Sequence, residues 1–133
     1  MKAATIGLGK VGFEFGLENR PQPASHFHCY LKNPLVSAMA VVETDQTKLL
    51  HAQTHSSFPK PLSVFDDLDK MLNQFQPEIV SICTPTSTHA KIACAVALHP
   101  SVKSIFLEKP IARSLQEADA IIKVCHDHNV KLT

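Results

Sequence analysis

The chain has 133 residues, of which 44% are hydrophobic and 19% charged, with a formal net charge of +1. That composition supports one globular domain with its own core and excludes a disordered chain. A charge this close to zero, with no run of like charges, gives no electrostatic basis for nucleic acid or a membrane surface as a partner.

In chain order, short apolar runs alternate with longer helical ones. The pattern predicts a strand at 3–6, a glycine-rich turn, a helix at 11–18, and then a long connection at 19–34. Within that connection, 24–32 can form a short extra helix. A strand at 38–43 and a helix at 45–55 follow, then a weaker strand at 63–65, a helix at 66–75 and a strand at 78–83. The series closes with a helix at 87–98, a strand at 104–107, a helix at 114–128 and the start of a strand at 130–132. Continuous apolar strands alternating with amphipathic helices predict an α/β fold: a doubly wound parallel sheet covered on both faces, three layers α/β/α.

The helix ends agree with this reading. Ser114-Leu115-Gln116-Glu117 matches the S-x-x-E capping box, in which each side chain satisfies an orphan amide of the first turn. Asp66 or Asp67 can cap the helix at 66–75, and Pro77 closes it, because the residue before a proline is pushed out of the α region. Ser87 or Thr88 can cap the helix that follows.

Gly7-Leu8-Gly9-Lys10-Val11-Gly12 follows an apolar strand, the context in which a G-x-G-x-x-G pattern reads as a dinucleotide-binding turn. Its first glycine allows the turn, its second lets backbone approach a pyrophosphate, and its third lets helix and strand pack closely. A helix opening there would offer free amides to the phosphates. Such a site needs an acid at the end of the second strand, and Ala38-Met39-Ala40-Val41-Val42-Glu43 supplies Glu43. A carboxylate there accepts from both ribose hydroxyls and repels a 2′-phosphate, favouring NAD over NADP. Lys48 close by leaves some tolerance for NADP.

Two more strand ends should face the same crevice. One runs into Thr84-Pro85-Thr86-Ser87-Thr88-His89, with His89 in the first turn of a helix whose dipole disfavours positive charge. The other runs into Glu108-Lys109-Pro110. Lys109 is the candidate catalytic residue. An alcohol losing hydride must also lose a proton, and a positioned amine can hydrogen-bond that oxygen or accept the proton. Pro110 keeps Lys109 out of the helical region, and the bond between them is a candidate cis peptide. The plainer alternative for Glu108 and Lys109 is an exposed ion pair at a strand end.

In this order, Gly-x-Gly-x-x-Gly, an acid after the second strand, Thr-Pro-x-x-x-His and Glu-Lys-Pro resemble the glucose–fructose oxidoreductase and myo-inositol dehydrogenase (Gfo/Idh/MocA) family. The resemblance covers essentially the whole chain and implies a Rossmann-type, NAD-binding domain over residues 1–133. It implies that Gly7, Leu8, Gly9, Lys10, Val11 and Gly12 line the pyrophosphate and that Glu43 holds the adenosine ribose. Thr84, Pro85, Thr86 and His89 would lie along the nicotinamide half, with Glu108 and Pro110 near its ribose and Lys109 at the reacting carbon of the substrate. The implied substrate is a sugar, a polyol or a sugar-derived alcohol or ketone. Family members commonly carry a second, mostly antiparallel domain that closes the substrate pocket. On that basis the 133 residues alone are expected to bind NAD(H) and turn over little or nothing. The alternative is a non-catalytic Rossmann module that senses or scaffolds through its nucleotide.

Several constellations are set aside. His26-x-His28-Cys29 and Cys125-His126-x-His128 lack the spacing of a structural zinc site, so no metal is expected. No Ser-His-Asp triad can be argued from spacing, and the phenylalanines sit at core periodicities rather than on a base-stacking surface. The four cysteines, Cys29, Cys83, Cys94 and Cys125, form no C-x-x-C pair. They read as reduced thiols in a chain with no export signal and no membrane span, which points to the cytoplasm. An unpaired edge at 130–132 predicts a tendency to self-associate.

Overall fold

The computed structural model of the chain describes residues 1–17, 21–54 and 60–133. Among these, six strands form one sheet: β1 (Lys2–Ile6), β2 (Ala38–Val42), β3 (Leu62–Phe65), β4 (Ile79–Ile82), β5 (Ser104–Leu107) and β6 (Lys131–Leu132). Every pairing is parallel, in the order β3-β2-β1-β4-β5-β6. The helices are α1 (His26–Lys32), α2 (Gln46–Thr54), α3 (Leu68–Phe75), α4 (Thr86–Leu98) and α5 (Leu115–Asp127).

Side-chain alternation along the strands divides the core in two. Ala3, Met39 and Val41 face one way and pack with Phe13, Phe27 and Tyr30 and with Leu49 and Ala52 of α2. Ala4, Ile6, Ala40 and Val42 face the other way, together with Val80, Ile82 and Ile105. They pack against Met71, Leu72 and Phe75 of α3, Ala93 and Val96 of α4, and Ile121 and Cys125 of α5. Burial of this kind stabilises by about 25 cal/mol per Å² of apolar surface, so the two clusters outweigh any surface ion pair. The predicted doubly wound parallel sheet is the observed fold.

The strand predictions hold to within a residue or two, and the extra helix at 24–32 forms as α1, capped by Ser25. Asp67 caps α3, whose end is Gln76 at φ 55, outside the right-handed helical region as Pro77 requires. Ser114 caps α5, but Glu117 reaches back to the amide of Arg113 at 2.9 Å rather than to that of Ser114.

Two expectations are corrected. The helix predicted at 11–18 is replaced over its described part by turns and a single 3-10 turn, Glu14–Gly16. Its carbonyls are taken from outside: Val11 O accepts from His26 N at 3.0 Å and Gly12 O from Phe27 N at 3.1 Å. The loop thereby caps α1 instead of continuing as a helix, and the low helix propensity of Gly12 and Gly16 favours that exchange. Residue 18 lies outside the described residues, as does residue 55 at the end of the helix predicted at 45–55. The second correction concerns α4. It begins at Thr86 with Pro85 in the cap position and no side-chain cap. Thr88 Oγ1 instead lies 2.8 Å from both the Pro85 carbonyl and Thr84 Oγ1.

Candidate functional site

The strand order reverses between β1 and β4, and at that switch point the carboxyl ends of the strands open onto a cleft of about 850 Å³. Gly7, Gly9, Lys10, Val11, Glu43, Thr84, Pro85, Glu108 and Lys109 all line it, so four separate segments of the sequence converge on one space.

At the phosphate end, the turn is held by sterics. Gly7 sits at φ +88, and a Cβ there would lie 2.8 Å from the carbonyl oxygen of Cys83. A Cβ on Gly12 would collide with the carbonyl of Gly7, whereas one on Gly9 would meet nothing within 4 Å. The three glycines therefore divide the labour as the fingerprint requires: a turn, an open approach and a close packing. Leu8 does not reach the cleft; its side chain is 1% exposed and belongs to the core.

The loop still presents donors, although no α-helix starts there. The amides of Phe13 and Glu14 are spent on Gly9 O and that of Phe15 on Lys10 O. The amides of Gly9, Lys10, Val11 and Gly12 have no protein acceptor among the described residues. Successive free amides beside an open glycine suit an anion such as a pyrophosphate.

Glu43 is more constrained than a bare ribose acid. Oε2 accepts from Leu8 N at 2.9 Å, and Oε1 accepts from Thr44 N at 2.8 Å and Asp45 N at 3.1 Å. Burial alone would raise its pKa, but these amides and nearby Lys48 outweigh burial and hold it below its ordinary value. The carboxylate thus ties the glycine loop to the end of β2 while still lining the cleft.

At the opposite end, Glu108 and Lys109 do not form the exposed ion pair that was the plainer alternative. Glu108 Oε1 is 2.9 Å from His26 Nε2, and Oε2 accepts from the backbone amide of Lys109 at 3.3 Å. The His26 hydrogen bond is the largest influence on Glu108 and lowers its pKa, against a smaller opposing effect of burial. The Lys109 ammonium has no carboxylate partner among the described residues and is free to meet a ligand. The Lys109–Pro110 bond is cis, as the sequence suggested, and so is Gln22–Pro23.

His89 lies beneath the cleft, 1% exposed. Its Nδ1 is 3.0 Å from Pro110 O and its Nε2 is 2.9 Å from Thr84 O, so it bridges the two segments that follow β4 and β5. Both neighbours are carbonyls, which only accept, and a neutral ring donates only once. Gly12, Thr86 and Pro110, all expected at the cofactor, do not line the cleft.

Several contributors were not anticipated. Thr44, Asp66, Asp67 and Leu68 line the cleft, the last three at the mouth of β3. A carboxyl-end position on a parallel strand was the available signal for them. Cys83 also lines it, its thiol pushed up to about 12 first by burial and then by Glu108. His26, Ser81 and Tyr30 form a chain behind Glu108, and no local spacing pointed to it.

Comparison with known proteins bears on all of this. Residues 1–133 match the oxidoreductase family described as an NAD-binding Rossmann fold. A 2,7-anhydro-N-acetylneuraminate hydratase of Mediterraneibacter gnavus is 34% identical over 127 residues, which is 96% of this chain and 29% of that protein. Among solved structures, the WlbA dehydrogenase of Chromobacterium violaceum, in complex with NADH and UDP-GlcNAcA, superposes with a TM-score of 0.78 at 19% identity. That alignment covers 99% of this chain and 34% of the other. The myo-inositol 2-dehydrogenase of Lactobacillus plantarum gives 0.75 at 20% identity, covering 100% of this chain and 36% of that one. At such identities the likeness to these two structures is one of fold. The chain spans about a third of the length of each of these three proteins.

Proposed function

The chain belongs to the Gfo/Idh/MocA oxidoreductase family and carries its NAD-binding Rossmann domain; on that premise we propose that it serves a dehydrogenase acting on a sugar, a polyol or a sugar-derived alcohol or ketone. The observation that carries the proposal is the convergence of free glycine-loop amides, Glu43 and an unpaired Lys109 on one cleft. The substrate class follows from what the relatives are named for or were crystallised with: an anhydro sugar acid, a nucleotide sugar and an inositol.

When bound, NAD supplies the hydride acceptor or donor. The free amides of Gly9, Lys10 and Val11 would hold the pyrophosphate, and Glu43 would accept from the adenosine ribose. Lys109 would hydrogen-bond the substrate oxygen and assist removal of its proton as the carbon gives up hydride. His89 holds the backbone of Thr84 and Pro110, and with them the floor on which the reacting ring would lie. The 133 residues supply the cofactor half of such a site, and as an isolated polypeptide they are expected to bind NADH without appreciable turnover. Among the described residues, no helix is long and apolar enough to cross a membrane.

Calorimetric titration of NADH and NADPH into the wild type and Glu43→Ala tests the reading. NADH should bind more tightly than NADPH by about tenfold or more, and the gap should shrink in the variant, because the carboxylate repels a 2′-phosphate. Failure of the wild type to bind either nucleotide would sink the proposal. In a polypeptide that turns over, Lys109→Ala should lower kcat about 10²–10⁴-fold with NADH affinity nearly unchanged.

A further inference from the structure

Behind Glu108, two side chains of α1 and one of β4 form one line. Tyr30 Oη is 2.7 Å from Ser81 Oγ, Ser81 Oγ is 2.9 Å from His26 Nδ1, and His26 Nε2 is 2.9 Å from Glu108 Oε1. Ser81 is fully buried and Tyr30 nearly so, while the side chains of His26 and Glu108 are 24% and 25% exposed, and Glu108 lines the cleft.

Hydrogen-bond chemistry fixes the direction of the line. The Glu108 carboxylate only accepts, so the single proton of a neutral His26 ring must sit on Nε2. Nδ1 then accepts, which makes Ser81 the donor to it and leaves the Ser81 oxygen to accept from the Tyr30 hydroxyl. Burial is the main force raising the Tyr30 pKa, so its hydroxyl stays protonated and remains a donor. Each link is satisfied, and each polarises the next towards Glu108. With Oε1 held by His26 and Oε2 by the Lys109 amide, Glu108 is oriented before any ligand arrives.

We propose that His26 is a positioning residue for the reacting end of the cleft: anchored on Ser81 and Tyr30, it fixes the Glu108 carboxylate, and so the Glu108-Lys109 segment, against the nicotinamide half of the dinucleotide. The proposal rests on the dinucleotide reading of the site. It gives a purpose to a serine buried in the middle of β4, where an apolar residue would otherwise pack, and to a histidine ring spanning two strands from α1. The other titratable groups facing this pair are Tyr30 of α1, Cys83 at the end of β4, and Lys109 beside Glu108. Of these, Lys109 also lowers the Glu108 pKa, but by less than the His26 hydrogen bond, which is the largest influence on it.

The test is NADH titration of the wild type, His26→Phe and His26→Gln as a function of pH, with imidazole ¹⁵N–¹H correlation spectra of the wild type. His26→Phe keeps the ring but removes both hydrogen bonds, and NADH affinity should fall about tenfold near neutral pH, the loss expected for a bond to a charged group. The acid limb of binding should also move to higher pH in His26→Phe, because Glu108 loses its strongest support; a purely structural defect would weaken binding equally at every pH. His26→Gln, whose amide can donate towards Glu108, should bind within about threefold of the wild type. The wild-type spectrum should show the ring proton on Nε2. Wild-type affinity and an unmoved acid limb in folded His26→Phe would overturn the proposal and leave the cofactor reading intact. A ring proton on Nδ1 would also overturn it, even if His26→Phe does not fold. A wild type that binds no NADH overturns the cofactor reading, and this proposal with it.

Discussion

The two ends of the cleft are built on different principles. At the glycine loop the working groups are backbone amides, left free because the chain is bent too tightly for them to bond elsewhere. Side chains there serve to hold the loop, as Glu43 does through Leu8, Thr44 and Asp45. Beyond β4 and β5 the arrangement is inverted. The working groups are the side chains of Glu108 and Lys109, and the backbone is what is held, with His89 bridging the carbonyls of Thr84 and Pro110. One end can be disabled by adding a single carbon to the main chain, and the other only by removing partners distant in sequence.

Adding that carbon should produce the largest effect. Gly7→Ala places a methyl group against the backbone of Cys83 at φ +88, where neither the clash nor the dihedral can relax cheaply. The expected loss is about 3–5 kcal/mol from left-handed strain and overpacking together. Urea unfolding should show it, with NADH binding lost as well. A variant as stable as the wild type would break the idea that the phosphate end is fixed by main-chain sterics.

The matching change at the other end is His89→Leu. It fills the buried space but takes away the ring that bridges the carbonyls of Thr84 and Pro110, at a cost of about 2–4 kcal/mol. Because the damage is confined to the segments after β4 and β5, hydrogen exchange should accelerate there before it does in the glycine loop. Uniform acceleration across both ends would mean that they form one cooperative unit, and the contrast between them would fail.

The same contrast explains what could be read from the sequence. The phosphate end was legible because its parts lie within six consecutive residues, and a glycine has few reasons to sit where Gly7 and Gly12 sit. The sheet was legible because apolar runs at β1, β2 and β4 are buried on both faces. The helix expected after the glycines was not formed because α1 competes for the carbonyls of Val11 and Gly12, a contest that spacing alone does not reveal. His26 was weighed as a metal ligand and set aside. Its actual partners are 55 and 82 residues away, joined only once the strand order is known.

A smaller effect is expected at Glu43, where the two principles meet. Its folded pKa lies below the ordinary 4.5, so its contribution to stability is present above that value and is lost as pH falls through the folded pKa. Glu43→Gln keeps one acceptor oxygen but gives up the charge, costing about 1 kcal/mol near neutral pH. Subtracting the unfolding free energies of the two proteins across the acid range should give a difference that is flat above pH 4.5 and shrinks below it. A difference that grows as pH falls would mean that the carboxylate is not stabilised by the loop amides.

The smallest effect on the fold should come from Gly9→Ala, and it separates structure from function most sharply. A Cβ there touches nothing within 4 Å, and unlike Gly7 the residue does not sit at positive φ. The folded state therefore loses no contact, while the unfolded chain loses freedom, so stability should hold or rise by about 0.5 kcal/mol. The new methyl group points into the space where the pyrophosphate must approach the loop amides, so NADH affinity should drop about tenfold. Opposite signs in unfolding and binding are the signature of an approach glycine. If both quantities fell together, Gly9 would be a packing residue like Gly12, and the loop's free amides would have some purpose other than holding a phosphate.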